Sequence, residues 1–219
     1  MDEGPGARKS EAMTGTVADG EGARRTDYET AFPPAMPAAV AERVRAEYAK
    51  ASTILEYGSG GSTAMAAALG GKSVFTVESD SAWLVKVRDG LEGADGDFVF
   101  HHADVGPVGA WGTPKDRSKQ EKWPSYPTWI WMHPKFRQPD LVLIDGRFRP
   151  ACLIATMLFT RAPVRVLFDD YYYREEYFKV EAYAKPVDRA GYMAIFEIKP
   201  RPTDPRLVLR LFEYSQHHK

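Results

Sequence analysis

Apolar positions along the chain follow two alternating rhythms. Over MPAAVAERVRAEYAKA, residues 36–51, Val40, Val44 and Tyr48 recur every four positions, the spacing of one helix face. Pro37 suits a first helical turn, where its missing N–H is not needed. STILEYG then reads as a strand, and STAMAAALGG as a helix stopped by its glycine pair. KSVFTVES is a strand of β-branched and aromatic residues. DSAWLVKVRDGLEG is a helix with Asp80 or Ser81 as N-cap and Trp83, Val87 and Leu91 on one face. GDFVFHHADV is a third strand, and PDLVLIDG has the unbroken apolar run of a strand buried on both faces. RPACLIATMLFTRA predicts a helix, VRVLFDDY a fifth strand and YREEYFKVEAYA a further helix. GYMAIFEIKP and RLVLRLFEYS read as two last strands joined by PRPTDP; with no helix between them they should pair antiparallel.

Strands alternating with helices predict an α/β fold, a mainly parallel sheet covered on both faces. Five such steps and a closing hairpin predict seven strands in a three-layer α/β/α sandwich. Residues 1–30 carry almost no large apolar side chains and are expected to be a disordered tail. Residues 31–219 are then one domain, interrupted by a long Trp- and Pro-rich connection at 106–139. That connection holds Trp111, Trp123, Trp129 and Trp131 and has the makings of a lid or binding loop.

Composition narrows the partners. The 219 residues carry a formal net charge of −1, which gives no bulk attraction for nucleic acid or an anionic membrane. Cys152 is the one cysteine, so no internal disulfide framework exists. No run approaches the ~20 apolar residues of a membrane helix, and the charged start lacks a secretory apolar region. The expectation is a cytoplasmic protein with a small-molecule partner, its exposed aromatic loop leaving room for an oligomer.

The chemistry starts at ILEYGSGGSTAMAAAL, residues 54–69. A strand, a glycine-rich turn and a helix bring a ligand close to the backbone at a helix N-terminus. The run lacks the Gly-Lys-Ser/Thr of a phosphate loop, and a dinucleotide Gly-x-Gly-x-x-Gly beginning at Gly58 and Gly60 meets Thr63 at its third glycine. Glu78 closes the next strand, where a carboxylate can accept hydrogen bonds from a ribose diol.

Glu56-Tyr57-Gly58-Ser59-Gly60 resembles the first motif of the class I S-adenosylmethionine-dependent methyltransferases, acid-x-Gly-x-Gly; Ser62 stands where the family pattern has its next glycine. The resemblance covers roughly residues 50–215. It implies a Rossmann-like sheet closed by a C-terminal antiparallel hairpin in a small bacterial-type member. It further implies S-adenosylmethionine as cofactor and a cofactor site drawn from Glu56, Gly58, Ser59, Gly60, Ser62, Glu78, Ser79, Asp104 and Asp145. Asp104, after the third strand, would meet the adenine amino group.

Three acids end later strands: Asp145 after LVLI, and Asp169 and Asp170 after VRVLF. In the catechol-type relatives of this family, acids at these places hold a divalent metal, so Asp145, Asp169 and Asp170 are candidate Mg²⁺ ligands. Equally, one of them can serve as general base on an acceptor hydroxyl or amine, or they can pair with Arg147 or Arg149 and cap the next helix. Arg147, Arg149, Arg174 and Tyr171 to Tyr173 suit an anionic or aromatic substrate. The activity expected is methyl transfer to oxygen or nitrogen of a small molecule. A nicotinamide-dependent oxidoreductase and a non-catalytic nucleoside-binding scaffold remain open.

Overall fold

The computed structural model describes residues 28–218. The tail reading for residues 1–27 falls outside them, and residues 28–31 are helical. The elements that follow are α1 (Ala38–Lys50), β1 (Thr53–Tyr57), α2 (Gly61–Leu69), β2 (Lys72–Glu78), α3 (Ser81–Gly90) and β3 (Gly96–His102). The long connection holds the one-turn α4 (Ser125–Thr128), and after it come β4 (Leu141–Ile144), α5 (Arg149–Phe159), β5 (Val164–Phe168), β6 (Asp188–Ala190), β7 (Met193–Ile198) and α6 (Pro205–Tyr214).

The seven strands form one sheet in the order β3-β2-β1-β4-β5-β7-β6. β1 to β5 are parallel, and β7 is antiparallel to both β5 and β6. The strand order reverses at β1 and β4, so a crevice opens beyond their carboxyl ends.

Strand alternation sorts the two cores. Ile54, Val74, Leu143 and Leu167 pack under Val40, Val44 and Tyr48 of α1 and Met65 of α2. Their neighbours Leu55, Tyr57, Val142 and Phe168 face the other layer, built from α5, α6 and the buried Trp123, Tyr126 and Ile130 of the long connection.

Two expected elements change type. The YREEYFKVEAYA segment is a run of 3₁₀ turns over Glu175–Ala182, not an α-helix. RLVLRLFEYS is helix α6, not a strand: Leu207, Leu211 and Tyr214 are buried with helical spacing. Asp204 caps it, accepting from the Arg206 N–H at 2.9 Å, and Pro205 opens its first turn. The hairpin therefore comes earlier, with β6 as partner of β7. Asp204→Ala is expected to lower the unfolding free energy by about 1 kcal/mol, read by urea denaturation. An unchanged midpoint would mean that the apolar face alone holds α6.

Candidate functional site

A cavity of about 420 Å³ lies beyond the carboxyl ends of β1, β2 and β4. Its floor is the β1–α2 turn, Gly58 to Ser62, with Glu78 and Trp83 on one side and Asp145 to Arg147 on the other. Trp111, Gly112 and Tyr126 reach over it from the long connection, and Ala31 to Met36 close it as a strap.

The glycines of the turn have separate reasons. Gly58 has φ of +104°, and a Cβ there would lie 3.0 Å from the Gly146 nitrogen. Gly60 has φ of +144° and faces the Trp83 indole, whose Nε1 donates to the Ser59 carbonyl at 2.9 Å. Gly61 makes room for the chain itself: a Cβ would meet the Pro34 Cα at 2.5 Å. The strap is anchored further by Phe32, buried against Val87 and Leu91 and edge-on to Trp83 at 5.9 Å.

Glu78 is the buried acid at this floor. Its carboxylate accepts from the Ser59 N–H at 3.2 Å, the Ser79 N–H at 2.7 Å and the Asp80 N–H at 3.0 Å. Ser79 does not line the cavity; its hydroxyl donates to the Gly112 carbonyl at 2.8 Å and ties the long connection down.

Glu56 is placed elsewhere than the motif implies. It shares the sheet face of Ile54, fully buried under α1 and α2, and lines no part of the cavity. The Tyr48 hydroxyl and the Thr63 hydroxyl each donate to it at 2.7 Å. The Thr63 oxygen in turn accepts from the Gly60 N–H at 3.0 Å. Thr63, at the third glycine position of a dinucleotide fingerprint, thus links the buried acid to the turn. Burial pushes Glu56 above the usual carboxylate range, with these hydrogen bonds opposing.

Asp104 also lies off the cavity. It lines a separate pocket with His102, Trp129 and Phe212, paired to Lys119 and to Lys122. The Lys119 ammonium beside it brings its carboxyl down to about 2. The residue implied to meet adenine is thus not part of the lining over the Gly58–Gly60 turn.

The three strand-end acids converge, but on a cation of the chain. Arg149, buried at the start of α5, lies 3.1 Å from Asp145, 3.8 Å from Asp169 and 3.3 Å from Asp170. It also donates to the Asp169 and Gly146 carbonyls. A guanidinium fills the centre that Mg²⁺ would need, and among the described residues no group of three or more His, Cys, Asp or Glu is placed to hold a metal ion. The Mg²⁺ expectation is therefore corrected to a buried ion-pair cluster.

Within it the acids differ. Asp145 opens on the cavity, its side chain 34% exposed. Asp169 is buried, and that burial, reinforced by Asp145 and opposed by Arg149, pushes it up to about 8. Asp170 pairs also with Arg174 at 3.3 Å. Neither Asp169 nor Asp170 lines the cavity.

Three non-glycine residues with positive φ surround this region: Trp111, Phe148 and Asp170. Phe148 turns the chain between β4 and α5 and so aims Asp145 to Arg149. Such conformations cost of order 1–3 kcal/mol each and gather at working sites.

Sequence reasoning missed the strap and the roles of Trp83 and Tyr126, because each touches the turn only through the folded chain. The FPPAMP run was the one available signal, an apolar and proline-rich stretch just before α1.

No protein-family model matches the chain, and no curated protein does. Solved structures do. A methyltransferase-like protein of Silicibacter pomeroyi is 40% identical, with a TM-score of 0.79 over 85% of this chain and 98% of that one. An O-methyltransferase of Bacillus cereus, solved with S-adenosylhomocysteine, shares the fold at 14% identity, with a TM-score of 0.50 over 82% of this chain and 90% of that one. Among the described residues no helix is long and apolar enough to cross a membrane.

Proposed function

The chain belongs to the class I S-adenosylmethionine-dependent methyltransferase family, and from that premise we propose that it transfers a methyl group to an oxygen or nitrogen of a small-molecule acceptor. The observation that carries this reading is the cavity over the Gly58–Gly60 turn, with Glu78 on one wall and Asp145 on the other. The turn fits an adenosyl ligand. A Cβ at Gly58 would press on the Gly146 backbone and one at Gly60 on the Trp83 ring, and both glycines hold backbone conformations that other residues adopt with strain.

When bound, the cofactor supplies a methyl group on a good leaving group, so holding the acceptor in line is much of the catalysis. Glu78, which lines the cavity, would accept hydrogen bonds from the ribose hydroxyls. Ser59 and Ser62 border the same ligand, with the first turn of α2 offering N–H groups to its anionic end. Trp83, Trp111 and Phe32 exclude water. Asp145 Oδ accepts the proton leaving the acceptor hydroxyl or amine, held in place by Arg149. Asp169 and Asp170 act behind it by holding Arg149.

Calorimetric titration tests this. S-adenosylmethionine and S-adenosylhomocysteine are expected to bind in the micromolar range, NAD not at all. Glu78→Ala is expected to weaken the nucleosides about tenfold to a hundredfold, as losing a charged hydrogen-bond acceptor costs ~1.5–3 kcal/mol. Equal binding to wild type and Glu78→Ala would remove Glu78 from the site. Preference for NAD would replace methyl transfer with a nicotinamide-dependent reaction.

A further inference from the structure

Arg147 is the one cation among the described residues that line the cavity, and it has no ion-pair partner among them. Among the described arginines that lack an ion pair, namely Arg117, Arg147, Arg161, Arg189 and Arg201, Arg147 alone is not exposed. Its neighbours explain why. Arg149 takes Asp145, Asp169 and Asp170, and Arg174 shares Asp170. Arg147 is left with the Thr113 hydroxyl at 3.3 Å, and its Nε is buried with no partner among the described residues.

The position is built, not incidental. The Arg147 backbone N–H donates to the buried Tyr126 hydroxyl at 3.2 Å, and its carbonyl accepts from the Cys152 thiol at 3.4 Å. Thr113 and Tyr126 both come from the long connection, so the segment over the cavity also steers this side chain. A half-buried charge with no partner is costly, and an arginine offers donors in a planar fork that matches carboxylate and phosphate.

We infer that the cavity takes an acceptor bearing an anionic oxygen group, a carboxylate or phosphate, and that Arg147 is its anchor; this rests on the methyl-transfer reading above. In that reading the cofactor's own carboxylate would meet another donor set, the N-terminal turn of α2, whose Ser62 lines the same cavity. Arg147 is a positioning residue. It fixes the acceptor while Asp145, two residues before it, faces the reacting atom.

The test is calorimetry on protein saturated with S-adenosylhomocysteine, with benzoate and its uncharged isostere benzamide as probes. Wild type is expected to bind benzoate about tenfold more tightly or better, the scale of one charge-assisted pair. Arg147→Met should lose the preference, and Arg147→Lys should keep part of it, with S-adenosylhomocysteine affinity unchanged in both. Arg147→Gln, which keeps a planar polar end without the charge, should also lose the preference and covers the case in which Arg147→Met fails to fold.

A benzoate preference absent from wild type, or persisting in Arg147→Met, overturns the proposal. So does a tenfold loss of S-adenosylhomocysteine affinity in Arg147→Met while methylthioadenosine, which lacks the amino-acid end, binds as before. That result gives the guanidinium to the cofactor carboxylate. If S-adenosylhomocysteine does not bind wild type, the methyl-transfer reading fails. The benzoate comparison on nucleoside-free protein then decides Arg147 separately.

Discussion

Arg149→Met is expected to destabilise the protein by about 3–5 kcal/mol, the cost of leaving buried charge uncompensated. The guanidinium is buried and is the common partner of Asp145, Asp169 and Asp170. Methionine keeps much of the stem and removes the charge. Against a total stability of about 5–15 kcal/mol, the loss should be plain in urea or thermal unfolding.

The pH dependence gives the loss a signature. A carboxyl whose folded pKa is raised contributes stability that is fully present below its ordinary value near 4 and is lost as pH rises through the folded value. For Asp169 that window runs from about 4 to about 8. Wild-type stability should therefore fall as pH rises across the window, and Arg149→Met should fall more steeply. Asp169→Asn should flatten the dependence. A loss under about 1 kcal/mol in Arg149→Met, with an unchanged pH slope, would mean that water already screens the cluster.

Most of the sheet was legible because its signals are local. Val40, Val44 and Tyr48 repeat at helical spacing, and all three are buried in α1. β1 to β5 stand where apolar runs end in turn residues. The last element misled because LVLRLF reads as a strand by composition, while its period and the Asp204–Pro205 start are helical. Composition identifies apolar surface, but period decides which element can bury it. The true β6 strand, Asp188 to Ala190, is short and has no apolar run to find.

The site was legible only along the chain. Gly58, Gly60, Glu78 and Asp145 all reach the cavity, as strand-end residues of a parallel sheet must. Glu56 lies off the cavity because strand alternation sends it to the opposite face from Tyr57, and only Tyr48 and Thr63 reveal what it holds. The Asp triad misled because a set of acids does not disclose the cation it surrounds. Arg149 lies four residues from Asp145 and twenty from Asp169, and only the fold brings all three together.

Gly146→Ala is the second change expected to be severe, although it adds one methyl group. The new Cβ would stand 2.1 Å from the Tyr126 hydroxyl, and 2.9 Å from the Gly58 nitrogen and the Tyr57 carbonyl carbon. Two of these atoms are backbone at the end of β1, so the wall cannot swing away as a side-chain tip would. Tyr126 is fully buried and holds the Arg147 N–H. Forcing such a contact costs typically ~1–3 kcal/mol in stability. The displaced turn is the cavity floor, so S-adenosylhomocysteine affinity should fall about tenfold to a hundredfold. Gly109→Ala is the control: its nearest contact would be an ordinary 3.5 Å, to a lysine side chain. Combining Gly146→Ala with Tyr126→Phe separates the two walls. Removing the hydroxyl relieves the shortest contact, so partial recovery of affinity is expected, while the Gly58 contact keeps it below wild type. Full recovery would assign the whole effect to Tyr126. Unchanged affinity in Gly146→Ala alone would mean that the β1 and β4 ends move apart freely to take the added methyl group.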